Sequence, residues 1–170
     1  GPGRMSDTSI TRVFGQGMVT LKGDLGSAPL ISAVTEITGQ PMVDTRQIHR
    51  DGQHGLAWMA PDELLLLLPN ADVPQALATL AGRLRGLHHL AADVSAARAV
   101  FRLSGDPRRI LGKGSPADMR PAKFAPGEIR RTRLGQVAVA FWLTDQATAE
   151  LVCFTSVGGF VTDWLTNAAA

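Results

Sequence analysis

Tyrosine is absent from the 170 residues, and tryptophan and phenylalanine together supply only 5% of them. Single-stranded nucleic acid is gripped by cations interleaved with aromatic platforms. Here the arginine-rich middle of the chain holds only Phe101 and Phe124, so nucleic-acid binding is not expected. Cysteine is nearly absent as well: Cys153 alone excludes an internal disulfide and a cysteine-rich zinc site. Between Val152 and Phe154 it has the setting of a buried, inert thiol. The run of leucines at residues 64–68 is about a quarter of a membrane span. No basic stretch followed by an apolar segment and a cleavage site opens the chain, so the expectation is a cytoplasmic protein that meets no membrane. Gly1-Pro2-Gly3-Arg4 before Met5 reads as an expression scar, and residues 1–9 are expected to be a disordered tail. Residues 10–170 are expected to form a single domain.

The composition is otherwise rich in core material, 45% apolar against 19% charged, which excludes global disorder. Seventeen basic and fifteen acidic residues leave a net charge of +2, too little to steer the whole molecule toward a polyanion. Its distribution is uneven. Residues 102–133 hold nine basic and three acidic side chains, a local +6, and leave −4 for the remainder. Such a dipole suits an acidic partner or ligand.

Alternation and turn residues predict strands over 17–23, 42–49, 56–59, 63–68, 87–94, 99–104, 129–134, 136–143 and 149–154. The five leucines at 64–68 suit a strand covered on both faces. A helix is expected from Pro29, with Leu30, Ile31, Val34 and Ile37 on one stripe, ending at Gly39. A second should start at an Asp72–Gln75 capping box and carry Leu77, Leu80 and Leu84. Asp106-Pro107 begins a short helix through Ile110 and Leu111, and a loop fills 112–127. Ser156 should cap the last helix, with Phe160, Val161, Trp164 and Leu165 as its stripe. The expected fold is α+β, two pseudo-repeated βαβββα halves (about 10–86 and 87–170) sharing one core. Three echoes support the repeat: Leu21-Lys22-Gly23-Asp24 with Leu103-Ser104-Gly105-Asp106, Trp58 with Trp142, and Glu63 with Glu150.

No catalytic constellation is defensible. Six residues separate Gly105 from Gly112-Lys113-Gly114 where a phosphate loop has four, and Gly114 stands where the hydroxyl should be. A helix C-cap by Gly112 or Gly114 explains it better. His49, His54, His88 and His89 show no metal-ligand spacing, and adjacent His88 and His89 would face opposite sides of a strand. Asp93 and Ser95 read as turn chemistry. Arg130, Arg131 and Arg133 lie on a predicted hairpin arm, at least two on one exposed face. Together with Arg108 and Arg109 they form the candidate partner contact, against the alternative of an edge strand guarded by charge.

Residues 56–69 (LAWMAPDELLLLLP) and 93–105 (DVSAARAVFRLSG) strongly resemble the gamma subunit family of heterotetrameric sarcosine oxidase, and 110–114, 131–139 and 161–165 are similar to the same family. The family is similar in fold to the folate-binding domain of the glycine-cleavage aminomethyltransferase. What the resemblance implies is a non-catalytic subunit that binds no cofactor itself, assembled with alpha, beta and delta subunits. The complex oxidatively demethylates sarcosine using FAD, FMN, NAD and tetrahydrofolate, with zinc in another subunit. Expressed alone, the chain is expected to form homo-oligomers or to be poorly soluble. The alternative is a stand-alone tetrahydrofolate-binding protein or aminomethyltransferase-like enzyme, for which Asp93, Asp44 or Glu150 would have to hold the pterin ring. A third reading is an unrelated interaction module. The Lys-Gly-Cys-Tyr-x-Gly-Gln signature of folate-dependent iron–sulfur maintenance proteins is broken at 112–115, which lacks its cysteine and tyrosine.

Overall fold

A computed structural model describes residues 8–170. The expression scar lies outside the described residues, as does the expected disordered tail except Thr8 and Ser9; Ser9 opens the first strand, β1 (Ser9–Val13). The chain forms two compact units, one over Gly15–Ala96 and the other over Ala97–Ala170 with the described residues up to Phe14. Both combine an antiparallel sheet with helices, an α+β architecture.

In the unit Gly15–Ala96 the strands are β2 (Gln16–Lys22), β3 (Ile48–Asp51), β4 (His54–Ala60), β5 (Glu63–Pro69) and β6 (Leu90–Asp93), ordered β3-β4-β5-β2-β6. Helices α1 (Ala28–Thr38) and α2 (Val73–Arg83) cover one face. Val19, Leu21, Leu56, Leu64, Leu66 and Leu68 from the sheet meet Leu30, Val34, Val73 and Leu80 from the helices. Met18, Ala57, Leu65 and Leu67 alternate onto the opposite face and are buried too, so the leucine run is covered on both faces as expected. Gly39 ends α1 at φ 68, the left-handed geometry that favours glycine.

In the other unit β1 joins β7 (Arg98–Ser104), β8 (Ile129–Leu134), β9 (Val137–Asp145) and β10 (Thr148–Phe154) in the order β1-β7-β10-β9-β8. Helices α3 (Pro107–Gly112) and α4 (Gly158–Ala169) pack Ile110, Leu111, Val161 and Leu165 on Phe101, Leu103, Phe141, Leu143 and Leu151. The β8–β9 turn needs only Gly135 and Gln136, with Gly135 at φ 61. The two sheets have the same strand order: β7, β8, β9 and β10 stand where β2, β3, β4 and β5 do, and β1 takes the outer position that β6 takes.

Several expectations fail locally. The strand over 42–49 shrinks to β3, because Gln47 N donates to Asp44 O and Arg46 adopts φ 61, closing a turn ahead of it. The strand over 87–94 is β6, four residues that pair with β2 and so belong to the first unit. Neither the Asp72 box nor a Ser156 cap forms, since 3-10 turns at Asn70–Asp72 and Thr155–Val157 lead directly into α2 and α4. Phe160 is half exposed, outside the stripe of Val161, Leu165 and Ala168. Two of the echoes are out of register. Lys22 pairs with Glu63 and Ser104 with Thr148, so Glu150 stands two residues beyond the counterpart of Glu63. Trp58 packs against the core cluster of its unit, whereas Trp142 lies on the face of its own sheet that points away from the core cluster of that unit.

Candidate functional site

The five candidate arginines divide into two groups. Arg108, on α3, donates from Nη2 to Phe124 O at 2.8 Å and from Nη1 to Gln146 Oε1 at 2.6 Å. Arg130, on β8, donates from Nη2 to Lys123 O at 2.6 Å and Glu128 Oε2 at 3.0 Å, and its guanidinium stands 5.2 Å from the Phe124 ring centroid. The two arginines therefore hold consecutive carbonyls of the loop that follows α3, and Phe124 is pinned edge-on against Phe141 in the core. Arg109 faces Asp106 one helical turn back, at 3.6 Å. Arg131 and Arg133 differ: they pair opposite Ala140 and Ala138, share one face of the outermost strand, and are exposed. The density of arginine and the shared exposed face of two of them were legible in the sequence; the loop carbonyls that take Arg108 and Arg130 were not.

The Gly112-Lys113-Gly114 stretch is structural, and not as a left-handed cap, since neither glycine has positive φ. Lys113 Nζ donates to Ala168 O at 2.6 Å, neutralising the carbonyl end of α4. Gly114 lies under the Trp164 indole, where an added Cβ would fall 2.3 Å from Cζ2.

The three carboxylates considered for a pterin ring are scattered. Asp93 Oδ1 accepts from Ser95 N at 3.0 Å, while Ser95 Oγ accepts from Met18 N at 2.9 Å, which is the turn role expected of the pair. Glu150 is buried on β10, accepting from Trp142 Nε1 at 3.0 Å and facing Arg102 at 3.4 Å. Asp44 alone lines a groove, about 530 Å³ in volume, with Leu25, Met42, Val43, Thr45, Trp58 and Pro61. Nothing in the spacing of the sequence joins Asp44 to Trp58; the turn at Asp44–Gln47 and the backbone bond from Trp58 N to Gln47 O do.

His88 and His89 precede β6 instead of lying within it, so they line one hollow of about 250 Å³ with Asp24 rather than facing opposite sides. His89 and His49 donate from Nδ1 to the carbonyls of Leu87 and Pro41, which fixes their tautomers. Among the described residues no three histidine, cysteine or carboxylate side chains gather as metal ligands. Burial pushes the Cys153 thiol pKa up, and the nearby Arg12 opposes this more weakly. No helix of the described residues is long and apolar enough to cross a membrane.

A family model described as "Sarcosine oxidase, gamma subunit family" matches residues 22–170. Among solved structures, "Heterotetrameric Sarcosine Oxidase from Corynebacterium sp. U-96 in complex with pyrrole 2-carboxylate" contains a chain 26% identical to this one. Its TM-score is 0.84, and the match covers 95% of this chain and 83% of that one. The glycine cleavage system aminomethyltransferase T from Bartonella henselae aligns with TM-score 0.67 at 10% identity, over 93% of this chain and 45% of that one. The ligand-free regulatory subunit of aspartate kinase from Thermus thermophilus reaches 0.53 at 9% identity, over 94% and 97%. At such identities the last two show likeness of fold alone. None of the curated proteins matches.

Proposed function

The chain belongs to the sarcosine oxidase, gamma subunit family, and from that premise we propose that it serves as a structural subunit of a heterotetrameric sarcosine oxidase, with no active site of its own. The observation that carries this is the match to a chain of such an oxidase over 95% of this chain at TM-score 0.84. The use made of the chain's chemically capable side chains supports it. Glu150 is engaged by Trp142 and Arg102, Lys113 by the end of α4, and Cys153 is held as a neutral thiol in the core.

In this reading the complex works in the cytoplasm, with alpha, beta and delta subunits as partners. Flavins, NAD, folate and zinc belong to those subunits. Arg131 and Arg133 present charge to one of them from the outer face of β8. The common strand order of the two sheets supports an origin by internal duplication of a βαβββα half. Omission tests the role: the other three subunits are co-expressed with and without this chain and compared by size-exclusion chromatography. The reading predicts a full-size complex only when the chain is present. A complete, active complex formed without it would overturn the structural role.

One observation favours the alternative of tetrahydrofolate binding by the chain itself: Trp58 and Asp44 line the same groove, an aromatic face beside a carboxylate. One-to-one heat on titrating tetrahydrofolate into the isolated chain, abolished by Asp44→Ala, would favour it. Silence would leave the subunit reading alone.

A further inference from the structure

Three of the six phenylalanines are exposed, Phe14 by 78%, Phe154 by 50% and Phe160 by 51%, and all three lie at one end of the unit that contains β7. Register places them there. Phe14 follows Val13, the last residue of β1, which pairs with Val100 on β7. Phe154 ends β10 and pairs with Arg98, which begins β7. The 3-10 turn Thr155–Val157 then leads from Phe154 into the first turn of α4, where Phe160 stands.

Two arginines are stacked into this end. The Arg98 guanidinium lies 4.3 Å from the Phe154 ring centroid, and that of Arg12 lies 5.2 Å from Phe14. Among the described residues neither has an ion-pair partner. A guanidinium resting on an aromatic face keeps its in-plane N–H fork available for a carboxylate, and phenylalanine and arginine are both enriched in protein interfaces relative to the rest of the surface. Exposing so much phenylalanine without a cover is costly.

We infer that this end of the unit is a docking surface for an acidic segment of another subunit, whose carboxylates pair with Arg98 and Arg12 while its apolar side chains cover the three phenylalanines. The inference rests on the subunit reading and adds to it the surface and the chemistry of the partner. Charge complementarity chooses the occupant: two cations unpaired by the described residues call for carboxylates, and the aromatic rings call for a protein chain.

The test uses the complex purified from a host whose own copy of the gene is replaced by a tagged wild-type, R98K or R12K gene. Lysine keeps the charge and adds an amine that carbodiimide couples to a carboxylate in direct contact. The expected result is a cross-link from position 98 or 12 to an aspartate or glutamate of a different subunit, mapped by mass spectrometry and absent from wild type. The double variant R98E/F14S should bind the rest of the complex on the order of tenfold more weakly, while the isolated variant chain unfolds at the wild-type temperature. Intact complex with no cross-link at either position overturns the inference and leaves the subunit reading standing, as does a cross-link only to a second copy of this chain. Failure of the wild-type chain to co-purify with other subunits overturns both.

Discussion

Single residues explain most of what the sequence offered as chemistry. Gly114 is a packing glycine, because Trp164 occupies the space a side chain would need. Gly114→Ala should therefore cost about 1–3 kcal/mol in denaturant unfolding, the usual penalty of overpacking; a neutral effect would show that the indole moves aside freely. Glu150 is a buried acceptor for the Trp142 indole. Glu150→Gln keeps the acceptor and Glu150→Leu strands a buried N–H, so the leucine variant should be less stable than the glutamine one by about 1–3 kcal/mol. Equal stability would contradict that role. Arg120, by hydrogen bonding and charge, holds the exposed Asp118 carboxyl at a pKa of about 2 instead of 3.8. A depressed carboxylate favours folding above its ordinary pKa and loses that contribution as pH falls toward 2. NMR titration should place Asp118 near 2, and Arg120→Gln should return it toward 3.8; no change in the variant would refute the cause. Asp118 and Arg120 are near neighbours in sequence, but the partners of Gly114 and Glu150 could not be read there, because Trp164 meets Gly114 only after α4 packs and Trp142 meets Glu150 only across paired strands.

Helices and strands were far more legible. The leucines of β5, the glycine that stops α1, the proline that starts α3 and the β8–β9 hairpin all follow from local pattern. The starts of α2 and α4 were not, because a 3-10 turn satisfies the approach to each without a side-chain cap. Ser156→Ala should accordingly change stability by less than about 0.5 kcal/mol, where loss of a true cap costs roughly 1 kcal/mol. A loss of that size would restore the cap. The loop after α3 is a different kind of element, held at Lys123 and Phe124 by two arginines. Arg108→Gln combined with Arg130→Gln should raise amide exchange across residues 113–128 while β9 and β10 keep their protection. Uniform acceleration would mean that these arginines support the whole unit instead.

For the whole molecule, local pattern indicated two halves of like order but could not assign the outer strands. β1 precedes the first unit in sequence yet pairs with β7, and β6 closes the sheet of the unit before it. Such pairings join residues far apart in the chain, and no periodicity within a strand records its partner. The same holds for function, which came from family resemblance and likeness of fold rather than from any catalytic pattern. The most direct measurement is purification of the tagged chain from its native host, with subunit stoichiometry by mass spectrometry and a visible absorption spectrum. Membership in a heterotetrameric sarcosine oxidase predicts yellow material containing this chain in equal proportion with two larger subunits and one smaller one. Colourless material with no stoichiometric partner would contradict it.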